Sequence, residues 1–304
     1  MAIGVVDSDQ NVLFRGNEPT TGLELDVLLA TLEGELREAL AACPDVASIG
    51  LGIPCTIDRE RGLAITSVNL PIANVPIRDL IAERLGLPVF IDNDANTAAL
   101  AEHRFGVARG ARNAVLLTLG TGIGGGLVLE GELYRGSIGA AAELGHMVID
   151  ENGPRCQGNC PNRGCVEAFA SGTALGRAGR IAAEAHPGSA LGQVLARGDE
   201  ITGKTVTEAA VAGDGIAVEV LAGIGRHLGV ALASYANIFE PDVIVIGGGA
   251  AASGELLLEP ARRELRARAL APMNAVPVRA AALGPEAGMI GAAQMALEES
   301  SQDA

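Results

Sequence analysis

The sequence is short of aromatic side chains and of lysine. Aromatic residues make up 2% of the 304 residues, tryptophan is absent, and Lys204 is the single lysine. So few aromatics argue against a nucleic-acid binder that stacks bases on aromatic platforms. The cores must be built from Ala, Val, Leu and Ile, with 41 glycines allowing close backbone approach. Nucleotide hydrolysis of the P-loop type is not expected.

Positive charge is also scarce, because 22 Lys and Arg face 37 Asp and Glu, a formal net charge of −15. The negative electrostatic field of such a protein repels nucleic-acid backbones and anionic membrane surfaces. No uninterrupted apolar run of about 18 residues suggests a membrane span, and the N-terminus does not resemble a signal peptide. The five cysteines, three of them within 156–165, do not resemble a secreted disulfide framework. We expect a soluble cytoplasmic protein with no nucleic-acid or membrane partner.

Strand and helix patterns alternate along the chain, and each half opens with a hairpin-like pair of strands. Turn residues separate Ile3–Val6 from Val12–Phe14, and glycines at 120–126 separate a strand over 113–119 from one over 127–129. Regular leucine spacing predicts a helix over 22–42. The pattern predicts an α/β protein with mixed sheets and two related lobes.

The glycine segment is Thr118-Leu119-Gly120-Thr121-Gly122-Ile123-Gly124-Gly125-Gly126. Successive glycines can point their backbone N–H groups into one concavity, which suits an anion, and the threonine hydroxyls add donors. A tight hairpin is the simpler explanation, but it needs only one or two glycines. The segment therefore favours phosphate binding.

Acidic and amide side chains follow a predicted strand as Asp92-Asn93-Asp94-Ala95-Asn96. The carboxyl ends of strands are where α/β proteins place catalytic groups. A carboxylate there can accept a hydroxyl proton as a general base, and the neighbouring Asn can hold a second hydroxyl. The alternative is that Asp94 only caps the following helix.

Four potential metal ligands lie within a short polar stretch: His146, Cys156, Cys160 and Cys165. The spacing His-x9-Cys-x3-Cys-x4-Cys matches a closed tetrahedral zinc site with no open position, so a structural metal is expected. Buried or redox-active thiols are the alternative. Glu143 and Glu167 flank the stretch.

A second glycine turn, Gly247-Gly248-Gly249, follows the predicted strand Val243–Ile246. Strand, glycines and helix in succession allow a flat ligand to lie on the backbone, although many α/β turns look the same.

Together these features resemble the ROK family of bacterial sugar kinases and repressors, and within it the glucokinases. The resemblance covers nearly the whole chain in order: Gly50-x-Gly-x-Pro54, Asn69-Leu70-Pro71, Asn93-Asp94-Ala95-Asn96, the glycine segment, Glu143-x-x-His146, Gly164-Cys165-x-Glu167 and Gly247-Gly248-Gly249.

The resemblance implies an actin-like (ribonuclease H-like) α/β fold with a sugar and ATP cleft between two lobes. The N-terminal lobe would be 1–105 with a returning helix at 286–304, and the C-terminal lobe 106–285 with a zinc loop at 146–165. A homodimer or homotetramer would be expected.

The resemblance also implies roles for individual residues. Asp94 would take the proton of a hexose 6-hydroxyl, with glucose the favoured hexose, while Asn93, Glu143, His146 and Glu167 hold other hydroxyls. His146 would contact zinc through one ring nitrogen and sugar through the other. The cofactors would be ATP, Mg²⁺ and structural Zn²⁺. Gly120, Thr121, Gly122 and Gly124 would hold phosphates, and Gly247, Gly248 and Gly249 the adenosine.

Three departures from the family pattern stand out. Three residues separate the first two cysteines of the cluster where the family usually has one, and Cys55 follows Pro54 where the family usually has Gly. The opening strand and Asp-x-Gly-Gly-Thr phosphate turn are absent. Since later motifs are intact, we expect a start further upstream and a lost central strand. In a rival alignment Ile3–Val6 is that strand and Ser8–Asn11 a degenerate phosphate turn.

Three functions are compatible with the resemblance. An ATP-dependent hexokinase is favoured, with fructose, N-acetylmannosamine and N-acetylglucosamine as alternative substrates. A non-catalytic sugar-binding ROK protein would bind glucose and zinc without turnover. A sugar-responsive repressor would carry an additional N-terminal DNA-binding domain, which we do not expect here.

Overall fold

A computed structural model describes residues 1–9, 11–20, 22–67 and 70–301. Asn69 of the Asn-Leu-Pro motif and part of the rival phosphate turn, Ser8–Asn11, lie outside the described residues. Two compact units emerge from the contacts within the chain. Unit 1 comprises 1–109, 133–142 and 283–304, and unit 2 comprises 110–132 and 143–282.

The strands, in chain order, are β1 (Ala2–Val6), β2 (Val12–Asn17), β3 (Ile49–Ile53), β4 (Thr56–Asp58), β5 (Leu63–Thr66), β6 (Ala73–Val75), β7 (Val89–Asn93), β8 (Ala114–Leu119), β9 (Ile123–Leu129), β10 (Glu132–Leu133), β11 (Val243–Gly247) and β12 (Val278–Ala280).

The α-helices are α1 (Leu25–Ala42), α2 (Ile77–Leu85), α3 (Asp94–Arg104), α4 (Val166–Ala170), α5 (Gly172–Ala185), α6 (Ala190–Ala196), α7 (Gly203–Val211), α8 (Gly215–Phe239), α9 (Glu255–Arg268) and α10 (Ala287–Ser300). Short 3₁₀ turns at Leu144–His146, Gly249–Ser253, Met273–Ala275 and Gly284–Glu286 complete the set.

The described residues of unit 1 form three small sheets. The predicted N-terminal hairpin is confirmed, since β1 pairs with β2 in antiparallel register. β3 lies parallel to β7, with Ile53 opposite Asn93, and β4, β5 and β6 form an antiparallel sheet that the sequence patterns did not predict. A core of aliphatic side chains from α1, α2, β3 and β7 lies beneath them.

Helix α10 belongs to unit 1 although it lies at the other end of the chain. It packs on β1, β3, β7 and α3. The contact is close, because a Cβ added to Gly291 would lie 1.7 Å from the Thr97 carbonyl oxygen of α3. Residues from both ends of the chain therefore build this unit.

Unit 2 is organised around one sheet with the order β10-β9-β8-β11-β12. β8 and β9 form an antiparallel hairpin, whereas β8, β11 and β12 run parallel. The carboxyl ends of β8 and β11 therefore meet at one edge. The residues between β10 and β11 supply the helices α4–α8.

Helix α8 is long and apolar enough to cross a membrane by length and composition, although Glu219 and Arg226 interrupt its apolar run. Half of its most apolar 18-residue window is buried within the protein. Tyr235 is fully buried and its hydroxyl donates to the Leu144 carbonyl at 2.5 Å. These contacts are those of a core helix.

Candidate functional site

The first glycine turn lies at the carboxyl end of β8 and is shorter than predicted. It comprises Gly120–Gly122, and β9 already begins at Ile123. The predicted turn through Gly126 is therefore wrong: Gly124 is a strand residue opposite Thr118. The hairpin register fixes where the strands separate.

Protein donors hold this turn from one side. The Gly120 carbonyl accepts a hydrogen bond from the Gly172 N–H at 2.8 Å. The Thr121 carbonyl accepts from Gln157 Nε2 at 2.9 Å and from Thr173 Oγ1 at 2.8 Å. Because these carbonyl oxygens already accept hydrogen bonds from protein donors, they do not turn toward an anion. The turn is therefore suited to donate hydrogen bonds to an anion rather than to accept them.

The second glycine turn lies beside the first. Gly247, predicted in the turn, is the last residue of β11 and pairs with Thr118 of β8. Gly248 has φ +82° and packs so closely that an added Cβ would lie 2.5 Å from the Leu119 carbonyl oxygen. Only glycine fits both the conformation and the space. The two glycine turns thus share one edge of the sheet.

A P-loop letter pattern, which the sequence reading overlooked, is present at 198–205. Its last three residues are Gly203, Lys204 and Thr205. A functional P-loop joins a strand to a helix, whereas this segment joins α6 to α7. Lys204 is exposed and lies 3.8 Å from Glu208 of its own helix, and Thr205 caps α7 together with Thr202. The letters at 198–205 therefore lack the strand-to-helix setting of a functional P-loop.

The four predicted metal ligands converge. The ligand atoms of His146, Cys156, Cys160 and Cys165 all lie within 4.8 Å of one another. Cys160 Sγ is 3.8 Å from Cys165 Sγ, and Cys156 Sγ is 3.5 Å from His146 Nδ1. Ideal zinc bond lengths and tetrahedral angles give about 3.8 Å between two sulfurs and about 3.6 Å between sulfur and nitrogen. The residues present therefore fit a tetrahedral metal ion.

Backbone hydrogen bonds fold the cysteine loop onto itself. The Cys156 N–H donates to the Asn162 carbonyl at 3.0 Å, and the Gly164 N–H donates to the Pro154 carbonyl at 2.8 Å. Gly164 has φ +67°, and an added Cβ would lie 1.6 Å from the Asp150 carbonyl oxygen. A side chain at this position would open the loop and separate the ligands.

Glu167 connects the metal ligands to the first glycine turn. The buried carboxylate accepts a hydrogen bond from the Ile123 N–H at 2.8 Å, and the Cys156 thiol donates to its other oxygen at 3.6 Å. A Cβ on Gly122 would lie 2.3 Å from Oε2. The sequence placed Glu167 among the sugar contacts but gave no signal of this connection.

His146 and Glu143 lie at the ends of one short turn. The His146 N–H donates to the Glu143 carbonyl at 3.0 Å, and the Glu143 side chain is exposed. His146 Nδ1 faces Cys156, so Nε2, on the opposite side of the ring, points away from the cysteines. The imidazole can therefore serve a metal and a second partner at once.

In unit 1, a buried carboxylate anchors the end of β7. Asp92 is fully buried and accepts from Arg135 Nε at 2.5 Å and from Asn96 Nδ2 at 2.8 Å. Arg59 Nε lies 3.6 Å away and also pairs with Glu299. Sequence reasoning missed this network because its arginines come from distant segments.

Asn93, not Asp94, caps the next helix. Asn93 Oδ1 accepts from the N–H groups of Ala95 and Asn96 at 2.8 and 3.3 Å, and Nδ2 donates to the Cys55 carbonyl at 3.2 Å. The cap position considered for Asp94 therefore belongs to Asn93, while Asp94 Oδ1 accepts from the Ala95 N–H at 2.9 Å. If Asn93 also contacted a sugar, as expected, it would do so with the same side chain that already makes hydrogen bonds to the backbone.

Asp94, the first residue of α3, is exposed to solvent. Protein around the carboxyl nevertheless raises its pKa above the ordinary value by desolvation, against the opposing hydrogen bond from the Ala95 N–H. A higher pKa makes the carboxylate a stronger base.

The buried Cys55 thiol lies near this carboxylate. Burial raises the pKa of Cys55 to about 11, and the charge of Asp94 contributes in the same direction. The thiol is therefore protonated at neutral pH.

Comparisons with known proteins identify relatives of this chain. The ROK family model matches residues 1–299. A curated glucokinase of Streptomyces coelicolor is 36% identical over 308 residues, covering 98% of this chain and 94% of the relative. The crystal structure of a ROK family glucokinase from Streptomyces griseus in complex with glucose and AMPPNP superposes with a TM-score of 0.85 at 35% identity, covering 97% of this chain and 95% of that one.

A putative xylose repressor of a Caldicellulosiruptor species is 32% identical over 98% of this chain and 74% of its own length. Kinases and repressors are thus both among the relatives. The structural match confirms the predicted actin-like α/β fold. The chain belongs to the ROK family.

Proposed function

We propose that this chain is an ATP-dependent hexokinase that phosphorylates the 6-hydroxyl of a hexose, with glucose favoured. The observation that carries the proposal is the environment of Asp94. This solvent-exposed carboxylate has a raised pKa and directly follows β7, the strand whose end is held by the buried Asp92. A base must be accessible, fixed in place and basic enough to accept a hydroxyl proton, and Asp94 meets the three conditions. Asn93 would hold a neighbouring hydroxyl through the remaining hydrogen of its amide.

The His/Cys cluster would hold a structural zinc ion. Three thiolates and one imidazole, with ligand atoms within 4.8 Å of one another, would fill the four positions of a tetrahedral zinc ion and leave none open for a substrate. The metal would fix the tautomer of His146, so that Nε2 meets a sugar hydroxyl in a defined protonation state. Glu143 and Glu167 would supply further hydroxyl contacts.

The two glycine turns would hold ATP. Gly120, Thr121 and Gly122 of the first turn, with Gly124 of the adjoining strand β9, would contact phosphates. Gly247–Gly249 would contact the adenosine, because both turns share the same sheet edge. Phosphoryl transfer depends on positioning and charge neutralisation, and Mg²⁺ entering with the nucleotide would supply part of the latter.

The relatives support both the reaction and one alternative. The Streptomyces griseus glucokinase binds glucose and a nucleotide analogue in the solved complex, which favours the kinase. The repressor relative favours a second candidate, a protein that binds sugar without turnover.

A coupled assay for glucose 6-phosphate with ATP, Mg²⁺ and glucose tests the proposal, with fructose and the two N-acetylhexosamines as alternative substrates. Asp94→Asn removes the base with little change in shape, and turnover should fall by roughly 10²- to 10⁴-fold. Asp79→Asn is the matched control, since Asp79 is exposed on α2 and pairs only with the neighbouring Arg78 among the ion pairs of the described residues.

Calorimetry with glucose separates the two candidates. Glucose binding without turnover in the unsubstituted chain, unaffected by Asp94→Asn, would reject the kinase and support the sugar-binding protein. Turnover that survives Asp94→Asn would reject Asp94 as the base.

A further inference from the structure

Two side chains from the region of the metal ligands reach the first glycine turn. Gln157, which directly follows Cys156, donates from Nε2 to the Thr121 carbonyl at 2.9 Å. Glu167 of α4 accepts from the Ile123 N–H at 2.8 Å. Both contacts lie within unit 2. The candidate metal site and the first glycine turn are therefore connected by two side chains.

The carbonyl groups of the turn decide where its N–H groups point. Within the described residues the cis peptide is the one that precedes Pro272, so the peptides of the turn are trans. In a trans peptide the carbonyl and the N–H of the next residue point in opposite directions. Gln157 and Thr173 both donate to the Thr121 carbonyl. They thereby direct the Gly122 N–H to the opposite side of the turn, where an anion would accept it.

The other two peptides of the turn are held by the backbone. The Gly120 carbonyl accepts from the Gly172 N–H at 2.8 Å, and the Gly122 carbonyl accepts from the Gly120 N–H at 3.0 Å. Among the hydrogen bonds of the described residues, the Thr121 carbonyl accepts from side chains alone. Since Gly122 has no side chain, rotation of this middle peptide meets little steric resistance. The middle peptide is therefore the part of the turn that a side-chain substitution can release.

The metal ligands restrict the backbone from which Gln157 extends. Three residues separate Cys156 from Cys160, and none of the three belongs to the ligand cluster. Gly158 has φ +60° and Asn159 is exposed, whereas Gln157 is half-buried and bonded to the turn. A metal ion that joined the two cysteines would restrict this short segment, and with it the amide of Gln157.

We propose that Gln157 is a positioning residue for the first glycine turn, and that it links occupation of the metal site to nucleotide binding. The inference rests on the proposed function, in which this turn holds the phosphates of ATP. With the cysteine loop fixed by its metal, Gln157 keeps the Gly122 N–H directed toward the phosphates. Such linkage is reciprocal, so nucleotide tightens metal binding by the factor by which metal tightens nucleotide binding.

Calorimetry with AMPPNP and Mg²⁺ on the metal-loaded protein tests the positioning role without turnover. Gln157→Met keeps the length of the side chain and removes the donor. Gln193→Met is the matched control, because Gln193 is exposed on α6 and its side chain has no hydrogen-bond partner within the described part of the chain. Loss of one hydrogen bond should weaken AMPPNP binding by about 3- to 10-fold in Gln157→Met. Glucose affinity, metal content and melting temperature should match the control, which a merely structural role of Gln157 would not allow.

Competition between the protein and a zinc chelator tests the linkage. AMPPNP in excess Mg²⁺ should raise the zinc affinity about 3- to 10-fold more in the unsubstituted protein than in Gln157→Met. Thr173→Val removes the other donor to the Thr121 carbonyl and leaves the cysteine loop unchanged, so it should weaken AMPPNP binding but retain the full rise in zinc affinity. Each protein receives AMPPNP at the same multiple of its own dissociation constant, so that stabilisation of the folded state contributes equally.

Two results would overturn the inference and leave the proposed function standing. One is equal AMPPNP affinity in Gln157→Met and Gln193→Met, and the other is an equal rise in zinc affinity in Gln157→Met and Thr173→Val. Absence of AMPPNP binding to the unsubstituted protein would instead reject the proposed nucleotide site and the inference together. If Gln157→Met does not fold, Gln157→Glu takes its place with the same expected results, because it keeps the shape and also removes the donor.

Discussion

Replacing Asp92 by Asn tests whether the buried carboxylate anchors the end of β7. The substitution keeps the side-chain shape but replaces one oxygen by an NH₂ group and removes the charge. Arg135, now 2.5 Å from a carboxylate oxygen, would lose this acceptor and keep Glu299 at 3.9 Å. Arg59 would keep Glu299 and the Ile91 carbonyl. The bond from Asn96 can survive, because Asn retains one carbonyl oxygen.

The expected loss of unfolding free energy depends on how exposed the two arginine partners of Asp92 are. Removing one member of a buried ion pair costs about 3–5 kcal/mol. The side chains of Arg59 and Arg135 are 24% and 23% exposed, so water can partly solvate them. We therefore expect the lower end, about 3 kcal/mol, and a melting temperature lower by about 6–12 °C.

Thermal unfolding followed by circular dichroism measures the effect, with Asp79→Asn as the surface control. The control should stay within about 1 kcal/mol of the unsubstituted protein, as exposed ion pairs do. A melting temperature for Asp92→Asn within 2 °C of the control (about 0.5–1 kcal/mol) would refute the anchoring role.

Three further predictions concern single side chains. Cys165→Ser should release the bound metal and lower the melting temperature together, whereas Cys43→Ser should do neither. Metal analysis of both purified variants checks this prediction, and full metal retention by Cys165→Ser would reject the cluster as the metal site. Because desolvation raises the pKa of Asp94, the acidic limb of the kcat/KM profile should begin above the ordinary range of aspartate, with activity lost as pH falls through that pKa; a limb at or below the ordinary range would contradict this. Since the pKa of Cys55 is raised to about 11, iodoacetamide at pH 8 should label Cys55 only after unfolding. Half-buried Cys43 should react in the folded protein, and mass spectrometry of the labelled peptides shows which cysteine has reacted.

Local signals in the sequence were enough for several elements. Gly86 ends α2 in the left-handed conformation, which glycine commonly adopts after a helix, and Pro54 follows β3 directly. The metal ligands were found because their spacing is short and their chemistry specific. In each case the informative residues are neighbours in sequence.

Features that depend on distant residues were missed. The Asp92 network needs Arg59 and Arg135 from separate segments, and the residues next to Asp92 in the sequence do not indicate that these arginines contact it. The first glycine turn was drawn too long, because only the pairing of Gly124 with Thr118 shows that the strand has already begun. Asn93 and Asp94 are both good helix caps by type, and the backbone alone decided between them.

The position of α10 has a consequence for synthesis on the ribosome. Most of unit 2 lies within 143–282, so its core can form while translation continues. Unit 1 needs 287–300 to cover β1, β3 and β7, and those residues are made after the whole of unit 2. The N-terminal strands must therefore stay partly uncovered until α10 has been made. A chain that ended at residue 282 would contain all of unit 2 and an unfinished unit 1 that chaperones and proteases can recognise.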